Sequence, residues 1–243
     1  MELKNKVAVV TGASGGIGSA IARQLDEHGS HVVLAARSVE SLRELEKKLQ
    51  NKSLVVEMDV ADDDSVKKAF KQISDEFSTI DILVNSSGVM PLSYLKNLHL
   101  DEWLNTMEVN VKGILRTLHG ALPAMKAQKK GHIVNIASVD GKELFQGGAI
   151  YGASKAAIIA LSRAMRMELS PEFNIKVTSI EPGTVATDLR EDITDEELLE
   201  DKDYGGEEAK LSAAAIARSV LYAISESDEV NVNEILIKPT GKS

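Results

Sequence analysis

The 243-residue chain contains no cysteine, which excludes disulfides, thiolate metal sites and a cysteine nucleophile. Positive charge is in the minority, because 28 lysines and arginines stand against 37 aspartates and glutamates and give a formal net charge of −9. An acidic balance argues against nucleic acid or an anionic membrane as the main partner. No apolar run approaches the ~20 residues that span a bilayer, and residues 1–6 hold no apolar targeting segment. We therefore expect a soluble, cytoplasmic protein.

Histidines are also few, and their spacing indicates no metal site. They occupy positions 28, 31, 99, 119 and 132, and no two of them stand at the i, i+4 spacing of a helical metal pair. His132 opens a predicted strand, and we interpret it as a structural residue. We predict no bound metal.

Short apolar runs alternate with helical patterns along the chain. The predicted strands are residues 7–10, 31–36, 54–58, 81–85, 131–137 and 175–180, and the predicted helices are 16–27, 39–49, 63–77, 101–126, a helix from about 151 to 169, and 212–224. The strand runs are continuously apolar, which is typical of strands covered on both faces. Strands separated by helices imply parallel pairing. We predict one α/β domain over residues 1–243, a Rossmann-type doubly wound parallel sheet of about seven strands.

One acidic segment interrupts this alternation between the sixth strand and the last helix. Residues 188–208 carry eleven acidic residues and two basic ones. The segment is either a solvated helical excursion or a mobile substrate lid, and the two interpretations are compatible. We predict a lid over residues 188–210.

A glycine-rich loop, T-G-A-S-G-G-I-G (residues 11–18), leads from the first strand into the first helix. Gly12 permits a tight turn, Gly16 lets the backbone approach a pyrophosphate, and Gly18 allows close packing of the helix on the strand. The helix N-terminus adds free N–H groups and the positive end of its dipole. At this position in an alternating fold, the loop favours a dinucleotide site over an ordinary turn.

The end of the second strand indicates which dinucleotide binds. An NAD site usually places Asp or Glu there to bind the adenosine ribose, whereas this strand ends A-A-R-S. Arg37 can hold a 2′-phosphate through charge-assisted hydrogen bonds, with Ser14 and Ser38 as hydroxyl donors. The alternative is a surface arginine. We predict that NADP(H) is preferred over NAD(H).

Tyr151 and Lys155 lie four residues apart in Y-G-A-S-K and share one face of a predicted helix. A free tyrosine has a pKa of ~10, too high for acid–base work at neutral pH, and a nearby ammonium lowers it. Ser138 precedes Tyr151 by thirteen residues and follows the fifth strand. Together with a nucleotide site, these residues predict the transfer of a hydride and a proton to or from a carbonyl group.

These motifs occur in an order that is found in one enzyme family. The matching segments are T-G-A-S-G-G-I-G (11–18), Asp59-Val60, N-S-S-G (85–88), Asn110, Ser138, Y-G-A-S-K (151–155) and P-G-T-V-A-T (182–187). In this combination the chain resembles the short-chain dehydrogenase/reductase family over nearly its whole length. Its C-terminal part, I-E-P-G (180–183) and E-I-L-I-K-P-T (234–240), is most similar to the branch with 3-hydroxy acid (serine-type) and clavulanate-type dehydrogenases.

The resemblance implies four catalytic residues. Tyr151 would be the general acid in reduction and the base in oxidation, while Lys155 would lower its pKa and bind the nicotinamide ribose. Ser138 would hydrogen-bond the substrate oxygen and stabilise its developing charge. Asn110 would hold a water molecule in a proton relay that reaches Lys155.

The resemblance also implies a cofactor site. Asp59 would contact the adenine ring and Asn85 would steady the central strand. Gly88 would lie against the cofactor, and Thr187 would bind the carboxamide. The full set of expected cofactor residues is Gly12, Ser14, Gly16, Ile17, Gly18, Arg37, Ser38, Asp59, Val60, Asn85, Gly88, Tyr151, Lys155, Pro182, Gly183 and Thr187.

Two segments depart from the family's pattern. The family commonly has N-N-A-G or N-A-G where this chain has N-S-S-G (85–88), and we expect little disturbance because serine is small. The usual glycine-rich C-terminal tail is replaced by Lys238-Pro239-Thr240. This replacement leaves open how the C-terminus contributes to subunit packing.

We predict an NADP(H)-dependent oxidoreductase that interconverts a small or medium carbonyl compound and its alcohol. The alternative is a non-catalytic NAD(P)-binding sensor or scaffold, against which the intact set of Ser138, Tyr151 and Lys155 argues. Nucleotide-sugar epimerases and dehydratases can share the Tyr/Lys pair, but they usually carry an added C-terminal domain. We do not expect such a domain in 243 residues.

Substrate and assembly are predicted from apolar surface. The substrate pocket is expected between residues 89–94, 139–148 and 189–208, where apolar side chains suit a small carbonyl compound and Arg190 can meet a carboxylate. The apolar faces of the helices around 103–125 and 151–169 predict a homodimer or homotetramer.

Overall fold

The computed structural model describes residues 3–187, 189, 192–201 and 209–240. Its strands are Val7–Thr11 (β1), His31–Ala36 (β2), Ser53–Glu57 (β3), Ile82–Asn85 (β4), Gly131–Ile136 (β5), Ile175–Pro182 (β6) and Glu234–Ile237 (β7). The α-helices are Gly16–Glu27 (α1), Val39–Glu46 (α2), Asp63–Glu76 (α3), Leu100–Met107 (α4), Gly113–Ala127 (α5), Ala149–Phe173 (α6), Glu196–Glu200 (α7) and Ala213–Ser225 (α8).

The strands form one parallel sheet in the order β3-β2-β1-β4-β5-β6-β7. The chain leaves β1 toward one edge through β2 and β3, and then returns to place β4 on the other side of β1. In open α/β sheets, ligands bind at the carboxyl ends of the strands where the order reverses in this way. The predicted doubly wound sheet is confirmed, and the reversal between β1 and β4 locates its crevice.

Two apolar layers cover the sheet. On one face, side chains of α1, α2 and α8 pack on the strands, among them Ile21, Leu42 and Val220. On the other face the layer comes from α3, α5 and α6, with Phe70 and Met125 among its members. The strands are covered on both sides, which explains why their sequences are continuously apolar rather than alternating.

Side-chain caps set the starts of several helices. Asp62 accepts a hydrogen bond from the backbone N–H of Ser65 at 2.8 Å and caps α3, and Asp63 and Asp64 follow in its first turn. Ser212 caps α8 in the same way through the N–H of Ala215.

The helix predicted over residues 101–126 runs from Leu100 to Ala127, but a π-helical turn, Glu108–Lys112, interrupts it and divides it into α4 and α5. Within this turn the Asn110 side chain binds the backbone of Val89, accepting from its N–H at 2.9 Å and donating to its carbonyl at 3.0 Å. Such a turn leaves the helical spacing of apolar residues intact on either side, so the sequence pattern does not reveal it.

Some strands and helices end at other residues than predicted. β6 continues to Pro182, α6 continues to Phe173 although Pro171 lies in its last turn, and α2 ends at Glu46. No helix within the described parts of the chain combines the length and the hydrophobicity needed to cross a lipid bilayer.

Candidate active site

A cleft of about 1430 Å³ opens along the carboxyl ends of the strands. This volume exceeds the ~300–1,000 Å³ of a typical small-ligand pocket and leaves room for a dinucleotide together with a small substrate. The cleft begins at the loop after β2, passes the glycine loop after β1, and ends at the segment after β5 and the first turn of α6. Of the site residues predicted from the sequence, it is lined by Gly12, Ser14, Gly16, Ile17, Gly18, Arg37, Ser38, Asp59, Val60, Gly88, Ser138, Tyr151, Lys155, Pro182, Gly183 and Thr187.

The glycine loop has the geometry that its sequence predicts. Gly12 has φ +64°, and a Cβ there would lie 2.9 Å from the backbone of Ser86 and Ser87. A Cβ on Gly18 would lie 2.2 Å from the Gly12 carbonyl oxygen, so the turn can close only without side chains. Gly15 precedes α1 without a capping side chain, and the first turn of α1 lines the cleft. The free N–H groups of this turn suit a phosphate.

At one end of the cleft, Arg37 and Ser38 follow β2 and face Ser14 of the glycine loop. Arg37 is exposed. Ser38 caps α2, and its hydroxyl lies 2.9 Å from that of Ser41. A guanidinium and hydroxyl groups are the donor set that binds a phosphate monoester.

Asp59 and Val60 line the cleft next to this end. Asp59 accepts a hydrogen bond from the N–H of Ala61 at 2.9 Å, so its carboxylate shapes its own loop. The guanidinium of Arg116 donates to the Val60 carbonyl at 3.2 Å and also pairs with Glu108 in the π turn. These contacts tie this loop to the π turn.

The opposite end of the cleft holds the acid–base residues. Tyr151 and Lys155 are buried on the first turns of α6, and Ser138 follows β5. The Lys155 ammonium donates to the Ile136 carbonyl at 3.0 Å and lies 5.5 Å from the centroid of the Tyr151 ring. The structure thus brings the three predicted catalytic side chains to one place.

Burial controls their protonation. Burial, aided by the charge of Asp140, raises the pKa of Tyr151 above its usual value, and a hydrogen bond with Ser138 only partly offsets the rise. Burial lowers the pKa of Lys155 to about 8, so the amine remains charged at neutral pH. Desolvation of the phenolate dominates the net shift, and the lowering of the Tyr151 pKa by Lys155 stays a prediction.

Sequence reasoning missed Asp140, which also lines the cleft. Its carboxylate accepts a hydrogen bond from the Ser138 hydroxyl at 3.0 Å. The backbone N–H of Asp140 donates to the hydroxyl oxygen of Ser138 at 3.2 Å. The available signal was an acidic residue two positions after Ser138, at the end of a predicted central strand. Nearby, the Lys142 ammonium contacts Glu181 at 2.7 Å and Glu234 at 2.8 Å, and this holds the loop against β6 and β7.

Two predicted site residues lie behind the cleft rather than on its surface. Asn85 is buried and donates to Asn135 at 2.8 Å, and its amide oxygen accepts from Thr117 at 2.7 Å. Asn85 therefore does not contact the cleft as predicted, because its side-chain amide is hydrogen-bonded within the fold. Asn110 is fully buried under Val89, where its amide also donates to Ser154 at 3.1 Å.

Gly88 brings Asn110 close to the catalytic amine. A Cβ on Gly88 would lie 3.3 Å from the Asn110 amide oxygen and 3.8 Å from the Lys155 nitrogen. On the opposite wall, Thr187 approaches the glycine loop, and a Cβ on Gly16 would lie 2.9 Å from its methyl group. The cleft is thus closely lined at two places, by Asn110 and Lys155 beside Gly88 and by Thr187 beside Gly16.

The described part of the acidic segment packs over Tyr151. Ile193 and Leu198 are buried in an apolar cluster with Met90, Leu92 and Tyr151. Residues 188, 190, 191 and 202–208 lie outside the described residues, and with them Arg190, for which the sequence suggests a carboxylate ligand.

Asp195 fixes this segment to the loop after β4. Its buried carboxylate accepts hydrogen bonds from the N–H of Tyr94 at 2.9 Å, from the Asn97 amide at 3.0 Å and from the N–H of Leu198 at 3.2 Å. Burial opposes its ionisation, but the hydrogen bonds outweigh burial and lower the pKa of Asp195. Tyr94 adds a second link through a 2.5 Å hydrogen bond to Asp201.

Comparison with known proteins agrees with this architecture. The family profile described as short chain dehydrogenase matches residues 6–198. An uncharacterized oxidoreductase of Staphylococcus epidermidis is 41% identical over 238 residues, which cover 98% of this chain and 99% of the relative.

Solved structures show the same fold. The closed form of a serine dehydrogenase complexed with NADP⁺ superposes with a TM-score of 0.89 at 27% identity, covering 98% of this chain and 96% of that one. An alcohol dehydrogenase from the archaeon Thermococcus sibiricus, complexed with 5-hydroxy-NADP, has a TM-score of 0.88 at 28% identity and covers 99% of both chains. With its profile, its relatives and its cleft in agreement, this chain belongs to the short-chain dehydrogenase/reductase family of oxidoreductases.

Proposed function

We propose that the protein is an NADP(H)-dependent oxidoreductase that interconverts a small or medium carbonyl compound and its alcohol. The observation that carries the proposal is the convergence of Ser138, Tyr151 and Lys155 at one end of a cleft whose other part is the glycine loop. A bound nicotinamide supplies or accepts the hydride. The side chains then have to hold the carbonyl and exchange one proton with its oxygen.

We assign Tyr151 as the proton donor in carbonyl reduction. The phenol is protonated at neutral pH, but burial raises its pKa and so opposes the transfer of its proton. The Ser138 hydroxyl donates to Asp140 in the structure, and it can donate to the substrate oxygen, where negative charge develops, once it turns away from that carboxylate. The charged Lys155 lies close to both Tyr151 and Gly88. At this position it can bind ribose hydroxyls, and it favours the phenolate form of Tyr151 once the proton has left.

Two observations support NADP(H) as the preferred cofactor. Arg37, Ser38 and Ser14 form a donor set at the end of the cleft that follows β2. Similar structures contain NADP⁺ or a modified NADP. We assign this donor set to the 2′-phosphate, and the glycine loop with the first turn of α1 to the pyrophosphate.

We further propose that residues 188–210 form a lid over the substrate. Ile193 and Leu198 cover Tyr151, and Asp195 holds them in place. The lid would shield the reacting groups from water and complete the apolar wall of the pocket.

A homodimer or homotetramer is also proposed, with its contact on α4 and α5. Leu100, Leu104, Met107 and Leu115 are exposed on these helices by 56%, 59%, 36% and 47%. Large apolar side chains grouped on adjacent helices favour burial against another subunit.

The test is NADPH consumption across a panel of aldehydes and ketones, followed by absorbance at the reduced nicotinamide band. Turnover is expected in the unaltered enzyme, and Tyr151→Phe should lower kcat/KM by about 10²–10⁴-fold, the usual contribution of general acid–base catalysis. NADPH binding, measured by fluorescence, should survive in the variant because the hydroxyl alone is removed. Binding without turnover in both proteins would instead identify a sensor or scaffold.

A further inference from the structure

The substrate end of the cleft is bounded by an apolar wall. Two of its members are buried in the cluster that also contains Tyr151, so the wall begins at the acid–base group. Ile193 and Leu198 of the proposed lid belong to the same cluster. The residues of the apolar wall are Met90, Leu92, Val139, Phe145 and Leu189.

The described acidic side chains at this end are hydrogen-bonded, paired or exposed to solvent. Asp140 accepts from the Ser138 hydroxyl, and Asp192 is exposed. Glu143 pairs with Lys238 at 2.7 Å. Apart from the catalytic amine, Lys238 is the only basic side chain that the described residues bring to this end. A charged substrate group therefore gains little here, whereas an apolar group gains contact with the apolar wall.

The ring of Phe145 lies over the start of the helix that carries Tyr151. A Cβ on Gly148, three residues before Tyr151, would collide with the tip of this ring. Gly148 has φ −97°, which any residue adopts, so its backbone does not require glycine. The absence of a side chain at Gly148 therefore makes room for the ring.

The ring is also available to a ligand. Phe145 lines the cleft and is 38% exposed, so one part of its surface is free. Leu198 approaches the neighbouring glycine in a similar way, since a Cβ on Gly147 would lie 2.8 Å from its side chain. An aromatic ring and a lid leucine thus meet consecutive residues at the entry to α6. This arrangement extends the apolar surface beyond what a methyl group would fill.

We propose that the substrates of this protein are carbonyl compounds that carry a bulky apolar group, aryl or branched alkyl, and that Phe145 is the residue that determines this specificity. The inference rests on the proposed oxidoreductase function. Each methylene group that the apolar wall removes from water should improve binding by about threefold. The proposal disfavours a substrate carboxylate, the group that the sequence suggests for Arg190.

Four unconjugated methyl ketones test the proposal, since they differ in the size and charge of the second substituent. They are methyl ethyl ketone, methyl isoamyl ketone, benzylacetone and levulinate, and levulinate is a charged isostere of methyl isoamyl ketone. With NADPH, the unaltered enzyme is expected to favour methyl isoamyl ketone and benzylacetone over methyl ethyl ketone by about tenfold or more in kcat/KM. Equal values for these three ketones, or a preference for levulinate over its isostere, would overturn the proposal.

Two substitutions test the role of the ring. Phe145→Ala should lower the preference for benzylacetone over methyl ethyl ketone by about fivefold or more, because the contact with the ring is lost. Gly148→Ala should lower it as well, because the added methyl group displaces the flexible tip of the Phe145 side chain and leaves the fold intact. Circular dichroism melting checks the fold of both variants.

Tyr222→Ala is the matched control, because it removes an aromatic ring that is 56% exposed on α8 and does not line the cleft. It should keep the preference within about twofold of the unaltered enzyme. An unchanged preference in Phe145→Ala or in Gly148→Ala would refute the assignment of Phe145. So would an equal loss in Tyr222→Ala.

A binding measurement tests the inference without turnover. In the NADP⁺-loaded Tyr151→Phe protein, calorimetry should show that benzylacetone binds about tenfold more tightly than methyl ethyl ketone, and Phe145→Ala should remove most of this difference. Equal affinities of the two ketones before Phe145→Ala is added would refute the inference. A failure of the broader oxidoreductase proposal looks different, because no ketone or aldehyde would then be reduced with either cofactor.

Discussion

At the scale of single residues, burial has more effect on the catalytic groups than their spacing on the helix. Tyr151 and Lys155 are 5% and 6% exposed, so each loses hydration that its charged form needs. Burial therefore raises the pKa of the phenol and lowers that of the amine, because it disfavours the charged form of each group. At neutral pH this still leaves a neutral phenol beside an ammonium, the pair required to protonate a carbonyl oxygen.

Cofactor choice is also a property of single residues. Arg37→Asp replaces a phosphate-binding guanidinium by a carboxylate that repels the 2′-phosphate and can accept from ribose hydroxyls. The ratio of kcat/KM for NADPH over NADH should fall by at least about 10²-fold, as measured by steady-state kinetics with one substrate. Arg23→Asp, a charge reversal on the exposed face of α1, is the control and should leave the ratio within about twofold. An unchanged ratio in Arg37→Asp would show that this end of the cleft does not bind the phosphate.

At the scale of secondary-structure elements, the contacts between loops and helices build the site. Asn110 lies in the π turn and binds Val89, so the helix pair α4–α5 and the loop after β4 are held together beside Gly88. A π turn at such a place is typical of functional sites, since it re-aims a side chain without ending the helix.

The packing of the described part of the acidic segment depends on the carboxylate of Asp195. Asp195→Ala would leave the N–H groups of Tyr94 and Leu198 without their acceptor, at a cost of about 1–3 kcal/mol for the closed lid. We expect KM for the carbonyl substrate to rise by roughly tenfold, and limited proteolysis of the segment to accelerate. The global unfolding midpoint should change little.

The neighbouring Glu196→Ala supplies the control, because Glu196 is exposed and stands next to Asp195 on the first turn of α7. It should leave both KM and proteolysis near their original values. Equal effects of the two substitutions would mean that the segment responds to lost charge rather than to the loss of Asp195's hydrogen bonds.

At the scale of the whole molecule, one buried histidine links stability to pH. His132 is 1% exposed, and its Nε2 lies 2.8 Å from the Thr178 hydroxyl. That hydroxyl donates to the Val232 carbonyl at 2.6 Å, so Nε2 must donate to Thr178. Burial, assisted by the charge of Lys176, lowers the pKa of His132 to about 3. The neutral ring is therefore the form that the fold accepts.

The sign of the pH effect follows from this low value. Between about pH 3 and the unfolded value of 6.5, the unfolded chain binds a proton that the folded protein excludes, so stability falls as pH falls. Over the step from pH 6.5 to about pH 5, the loss from this residue is about 2 kcal/mol. His132→Gln should remove that part of the decline in urea unfolding experiments, whereas His119→Gln, at an exposed position, should not. Parallel declines in all three proteins would contradict the assignment.

Assembly is the second property of the whole molecule that can be tested. The unaltered protein should sediment as a dimer or tetramer, because the exposed apolar side chains of α4 and α5 need cover. Leu104→Glu should shift it to a smaller species by placing a charge in the contact. Leu199→Glu, which changes an equally exposed leucine on α7, should leave the assembly unchanged. Sedimentation of the unaltered protein as a monomer would rule out the proposed contact.

The strand runs and the glycine loop were predictable because their physics is local. Residues 7–10 are apolar throughout, and the left-handed φ of Gly12 is one that glycine adopts without strain. The π turn was not predictable, because Asn110 reaches a partner 21 residues away. Nor was the place of Asn85 behind the cleft, since its partner Asn135 is 50 positions distant.

The sequence alone determined the family, the order of strands and helices, and most of the predicted site residues that line the cleft, because these depend on residue type, period and short spacing. Only the tertiary structure decided the protonation of Tyr151 and Lys155, the inward place of Asp140 and the contacts of the acidic segment. These depend on burial and on charges brought together from distant parts of the chain, and neither can be predicted from short stretches of sequence.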